Sequence, residues 1–554
     1  MKMKKKILSA AAMVALGTGS AQAVNLSSDG TGQVLLFPYY TVQGNNETLL
    51  TIVNTTDKGK AVKVRFREAF NSREVLGFNL YLAPFDVWVG KVQNAPDGGA
   101  QLYTQDNSCS TLDTNPQNML DYDYSGSRSD GGPEGPARKR EGYFTALEMG
   151  EIDSQATALL GDDGHWYADD DEDTLAPPAG VDTVKVKVWD RNGDGIIDIV
   201  HKNGMPNYCK GIARNFSSMW KYDELKPSYG FKQPGGDLMG TLAVINVQAG
   251  SEAIIPGVVI ENAFLSVVHN NPGSLRPDWR DIGGPTIIPD PVYSVVIDGV
   301  PYIEGVPYKV RAYLDAWESR IVGWDDMNDP IFDYVDALSV VLMASKVLNE
   351  YTVNPATEAE TAWVVTFPTK SHYVDPEYAR DITLASDEDA DGWHVDGDGK
   401  PLPYKPFTTL FNGKACEPVT FKMSNRDGER FLVRDSDISP RPPDGGGTSL
   451  CYGVNVIQFG STSNVFEAKN TVVRISDDSL SGPSGWMEMV LTGKNHTLGE
   501  EPTLSSHIYK GLPVIGFKMT VLGNSNVGIG ASYAAGVSHA YKREVVAGSN
   551  NGGR

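Results

Sequence analysis

The sequence predicts a mainly β, multi-domain protein of β-sandwich-like units, with long acidic loops and one or a few helices. Three observations carry that prediction. Runs with strand-like alternation of apolar and polar residues recur about every ten residues, the spacing of a sandwich. Gly and Pro, at 58 and 33 of 554 positions, punctuate them. One stretch alone shows convincing helical periodicity.

The first strands are expected at 33–40, 48–54, 61–67, 77–82 and 86–90, where apolar residues alternate with polar ones. From about 93 to 230 the composition shifts to Gly, Asp, Asn and Ser. Strand-like runs return at 241–247, 257–263 and 293–302, the last turning at Asp298-Gly299. The helix is expected over 334–349, capped by Asp333 and carrying Leu338, Val341, Leu342 and Leu348 on one face. Further strands follow at 419–423, 452–459, 486–491 and 512–519. No fixed-period repeat is present, which disfavours a solenoid or propeller. The composition divides the chain into a leader at 1–23, an N-terminal β-sandwich-like region at 24–95 and a loop-rich acidic module at 96–230. A central β-rich region with the helix follows at 231–400, and a C-terminal β-rich region at 401–554.

The leader has the parts of a secretory signal: a basic head at Lys2, Lys4, Lys5 and Lys6, an apolar stretch at 7–16, and Ala21-Gln22-Ala23 as cleavage site. Export to the periplasm, outer surface or medium is therefore expected, with no spanning segment left after cleavage. Removing its four lysines takes the formal charge from −22 to −26, which disfavours nucleic acid and anionic membranes as partners. Four cysteines in an oxidising compartment imply two disulfides. Pairing Cys109 with Cys209 and Cys416 with Cys451 keeps both bridges local, each stabilising by about 3–5 kcal/mol on the loop-entropy model.

The segment 188–198 carries the clearest chemistry. Asp190, Asn192, Asp194 and Asp198 alternate around Gly195, giving a hard divalent cation oxygen ligands at short spacing and a glycine where the chain must turn. Calcium is the expected ion. A helix-flanked EF-hand is disfavoured, because its twelfth position holds His201 in place of Glu. A second acidic loop offers Asp387, Asp389, Asp391 and Asp398 around Gly392, with Val395 unable to ligate at the ninth place. Asp162, Asp163 and 169–171 lack ordered spacing.

Two resemblances bear on these residues. Set between the strand-like runs 184–189 and 196–200, the first acidic loop resembles the β-hairpin calcium loops of integrin-type FG-GAP repeats. That implies ligand roles for the side chains of Asp190, Asn192, Asp194 and Asp198, and for the Ile196 carbonyl. The N-terminal strands and the closing segment 511–517 resemble a group of uncharacterised exported β-rich proteins of Gram-negative bacteria, which implies export and β architecture.

No catalytic signature accompanies the metal loop. The eight histidines are scattered without a zinc-type pair, no Gly-x-Ser-x-Gly elbow occurs, and 482–485 reads as a turn. The expected role is a calcium-stabilised structural or adhesive protein of the cell envelope or surface, engaging a surface polymer, a carbohydrate or itself. The alternative is a secreted carbohydrate-binding or carbohydrate-active protein. Trp166 and Trp393 beside the acidic loops would serve as stacking platforms, and two unassigned carboxylates as acid and base.

Overall fold

A computed structural model describes residues within 24–168, 177–209, 229–273, 295–302, 308–325, 334–376, 406–433, 438–439, 448–499 and 507–547, apart from isolated positions inside these ranges. The chain is mainly β, arranged in several separate sheets.

Two large sheets form the N-terminal sandwich. The first holds, in spatial order, Asn25–Leu26, Val258–Glu261, Val34–Thr41, Glu141–Ile152, Lys60–Glu68, Glu74–Leu82 and Cys109–Ser110. The second runs Ser251–Pro256, Leu238–Asn246, Asn46–Asn54, Val87–Asn94, Ala100–Tyr103 and Gln117–Asn118. Alternation sets the register: Leu50 and Ile52 of Asn46–Asn54 are buried while Leu49, Thr51 and Val53 are only half-buried. The sheets thus cross the sequence divisions at 95/96 and 230/231. Strands from 238–261 pair with strands from 34–54, and Glu141–Ile152, inside the supposed loop-rich module, is a central strand.

The C-terminal half repeats the architecture. One sheet runs Arg430–Leu432, Glu417–Asn425, Ser484–Val490, Lys346–Thr352 and Ala540–Lys542. The other runs Ile438–Ser439, Val472–Ile475, Val454–Phe459, Ala359–Thr366, Ile515–Leu522 and Tyr533–Ser538. The expected helix over 334–349 is only half there. An α-helix covers Tyr334–Leu342, and the chain then enters Met343–Ala344 and the strand Lys346–Thr352. From Lys346 the burial alternates enough to bury Val347 and Tyr351 against the core, and cross-strand pairing with Ser484–Val490 overrides the helical pattern. Asp333, the supposed cap, lies outside the described residues.

The halves share their interior. In Val34–Thr41, Leu35, Phe37 and Tyr39 enter one apolar cluster while Val34 and Leu36 enter another. Ala359–Thr366 does the same, with Ala362 and Val364 in the first cluster and Trp363 and Val365 in the second. Each strand is apolar on both faces because each face meets a different core. Pro38 is tolerated inside such a strand because the pairing slips there, between Gly142 and Phe144 of the neighbouring strand. Its carbonyl accepts a 2.6 Å hydrogen bond from Thr366 Oγ1 of the other half.

Polar groups join the halves as well. Arg138, fully buried, donates to Glu68 Oε2 at 2.9 Å and to Asp130 Oδ2 at 2.6 Å. Asn71 Nδ2 bridges Asp130 and Asp375 at 3.0 and 2.9 Å, and Arg73 pairs with Asp375 at 2.6 Å. Burial opposes ionisation of Asp130, but Arg138 and the Gly132 N–H more than compensate and hold its carboxyl below the usual range.

Glu141 sits at the same junction, accepting from Tyr39 Oη and Thr471 Oγ1, both at 3.0 Å. Burial pushes its carboxyl up from 4.5 to about 6. Between those values the folded chain keeps a proton that the unfolded chain has released, so stability falls as pH rises through the window. Glu141→Gln removes this dependence. In urea titrations the variant should gain about 2 kcal/mol on wild type between pH ~4.5 and ~7, at ~1.36 kcal/mol per pH unit. Parallel profiles would refute this account.

Candidate functional site

The first acidic loop hangs from a buried anchor. Trp189 is buried and donates from Nε1 to the Gly230 carbonyl at 2.7 Å, and Asp198 N donates back to the Trp189 carbonyl at 2.8 Å. The strand entering the loop, Thr183–Lys187, pairs with Thr157–Gly161. The exit at 196–200, expected as a strand, is a series of turns, because Asp198 and Ile199 are drawn inward and leave no alternation. The loop is therefore not flanked by a hairpin.

Within the loop the polar side chains organise the backbone. Gly195 N donates to Asp190 Oδ2 at 3.0 Å, Asp194 N to Asn192 Oδ1 at 3.2 Å, and Ile196 N to Asp194 Oδ1 at 2.9 Å. Gly193 and Gly195 have φ of +71° and +82°, conformations that glycine adopts without strain. Asn207 Nδ2 donates to Asp194 Oδ1 at 3.1 Å and reaches the Ile196 carbonyl at 3.4 Å. The Ile196 N–H, first among several donors, holds the Asp194 carboxyl below its usual range.

Asp190 Oδ1 is buried and has no hydrogen-bond partner, while Asp198 lies fully inside. Lys202 Nζ stands 3.9 Å from Asp194 Oδ2. Among the described residues, no three or more His, Cys, Asp or Glu converge closely enough to hold a metal ion. The loop thus brings the candidate ligands into one turn without closing them into a shell. Asp387, Asp389, Asp391 and Asp398 lie outside the described residues.

Both cysteine pairs are as expected. Cys109 bonds Cys209 with Cα atoms 5.3 Å apart, and Cys416 bonds Cys451 with Cα atoms 3.7 Å apart. The first bridge ties the end of the acidic loop to the edge of the first sheet, since Cys209 follows Tyr208, whose N–H donates to the Asp198 carbonyl. Trp88, Trp189 and Trp363 are buried in the cores. His539 is buried against Trp363 and pushed down to about 3 by loss of solvent, and His496 meets Glu417 at 3.0 Å. Among the described residues no helix is long and apolar enough to cross a membrane.

Besides the Arg138, Glu68 and Asp130 network, sequence reasoning missed a second buried ionic centre, formed by Lys60, Glu148 and Glu151. Its signal was present in Glu148-Met-Gly-Glu151, two acids three apart in a run rich in apolar residues. The surrounding composition disguised the strand that carries them.

No protein-family model, no curated protein and no solved structure matches the chain.

Proposed function

We propose that this chain is an exported, calcium-stabilised structural or adhesive protein of the cell envelope or surface. The observation that carries the reading is the fusion of the two sandwiches. Strands of each half bury both faces, and polar groups across the junction are paired, so the halves resist relative motion as a unit under mechanical tension must. Two disulfides support an oxidising destination.

Self-association is the partner reading. The outward side of the second sheet exposes Val87, Val89, Met239 and Ile254, and Phe85 stands 67% exposed beside them. A chain of charge −22 can approach its own copy most cheaply through such an apolar strip, where the charges of Lys91 and Glu47 are paired with each other. Fractionation of native cells, with sedimentation of the purified chain, tests both parts. Particulate, surface-associated material is expected, and a freely diffusing monomer at all concentrations contradicts the reading.

Calcium belongs to the same proposal. The alternate spacing of Asp190, Asn192 and Asp194, the Ile196 carbonyl, and the partnerless Asp190 Oδ1 suit an oxygen-seeking ion. At a hundredfold excess over its dissociation constant, calcium should stabilise the unit that unfolds with the loop by about 2.7 kcal/mol. The double variant Asp190→Ala, Asp194→Ala should lose that gain. Identical thermal unfolding of wild type in calcium and in chelator counts against the site.

A further inference from the structure

Lys60, Glu148 and Glu151 meet at one end of the N-terminal sandwich. Lys60 Nζ lies 2.8 Å from Glu148 Oε1 and 3.2 Å from Glu151 Oε1, and the side chains of Lys60 and Glu148 are wholly inaccessible to solvent. Three apart, the two acids would point to opposite faces of a regular strand. A bulge brings them together: Glu148 pairs with Val62 and Gly150 with Ala61, so one extra residue returns Glu151 to the side that faces Lys60.

The backbone around the acids is cut to fit. Gly235 N donates to Glu148 Oε1 at 3.0 Å and Gly236 N to Oε2 at 2.8 Å. A Cβ at Gly235 would collide with Glu151 Oε1, and Gly236 has a φ of +85°. Two successive amides are thus aimed at the oxygens of a desolvated carboxyl that already touches an amine. For stability alone this is a poor arrangement, since burying an ion pair costs about as much as it returns. As a site for acyl transfer it has a nucleophile, a carboxyl to move protons, and oxyanion donors.

We propose that Lys60 and Glu148 are joined by an amide bond that the folded chain makes itself, with Glu151 carrying the protons. Transfer of a proton from the ammonium to the carboxylate gives the neutral amine and acid. Burial pushes the Glu148 carboxyl up to about 7 despite Lys60, so its neutral form is within reach near neutral pH. Lys60 Nζ then attacks Glu148 Cδ, and the Gly236 N–H stabilises the oxyanion. Glu151 takes a proton from Nζ and delivers it to the departing oxygen, which leaves as water. One C–N bond forms, one C–O bond breaks, and no oxidant or reductant is needed. Fixed contact replaces collision, and two buried charges disappear in the product.

The inference stands apart from the structural or adhesive role and is decided by mass. Intact wild-type protein, with its N-terminus identified and both disulfides counted, is expected to be lighter by one water than its sequence. A digest should yield peptides joined through Lys60 and Glu148, with Lys60 unreactive toward amine reagents after denaturation. Lys60→Met and Glu148→Ala should show the full mass, and Glu151→Gln should form the bond at least about a hundredfold more slowly. A wild-type chain of full mass with a free Lys60 overturns the proposal even if no variant folds. A bond to Glu151 in place of Glu148 overturns the assignment of roles.

Discussion

Arg138→Met is expected to cost about 3–5 kcal/mol of stability, the penalty for leaving buried carboxylates without their cation. The guanidinium spans Glu68 and Asp130, all three without solvent contact at the side chain. Glu68 also takes the N–H groups of Phe70, Asn71 and Arg73, so its charge fixes the turn that carries Asn71 and Arg73 to Asp375. Removing Arg138 strands two acids and loosens the turn by which one half grips the other. The loss should shrink in acid, where Asp130, no longer held down by Arg138, takes up a proton. Urea denaturation at two pH values measures both effects. A variant within about 1 kcal/mol of wild type at neutral pH would show that the network is dispensable.

Trp363→Ala should cost about as much, roughly 3–5 kcal/mol, by emptying a large volume in a close-packed interior. Trp363 is wholly buried, packs against Phe459 and His539, and donates from Nε1 to the Glu350 carbonyl at 3.1 Å. Its neighbours Ala362 and Val364 face the core that also holds Leu35 and Phe37, so the damage should reach both halves. Calorimetry is expected to give one transition, shifted down as a whole. Two separated transitions, only one of them shifted, would show that the halves unfold independently.

What the sequence made legible was local. Asn46–Asn54 and Val87–Asn94 alternate cleanly because one face meets a core and the other does not, and both were expected as strands. Glu141–Ile152 was invisible because it buries both faces and carries Glu141 and Glu148 inside, with Glu151 half-buried near its end. An acid with a distant partner reads as surface until the fold supplies the partner. The lower half of the expected helix failed for a related reason. The pairing of Lys346–Thr352 with a strand more than a hundred residues away outweighed the local period. The acidic loop showed both sides of this. Its turn chemistry follows from Gly193, Gly195 and the acids between them, whereas the inward position of Asp198 depends on Trp189 and so on the core beneath.

The strand Val34–Thr41 has one further consequence, for how the chain can be made. It leaves the ribosome well before two of its neighbours in space, Ala359–Thr366 and Ile515–Leu522, which follow more than three hundred residues later. Contacts of such long range form late, because the loop entropy must be met before they return anything. A nascent chain therefore carries Leu36, Phe37 and Tyr39 without their final cover until Ile515–Leu522 has been made, and loss of that strand would uncover them. Packing against that late strand, not the start of synthesis, is therefore the step that ends the exposure to aggregation.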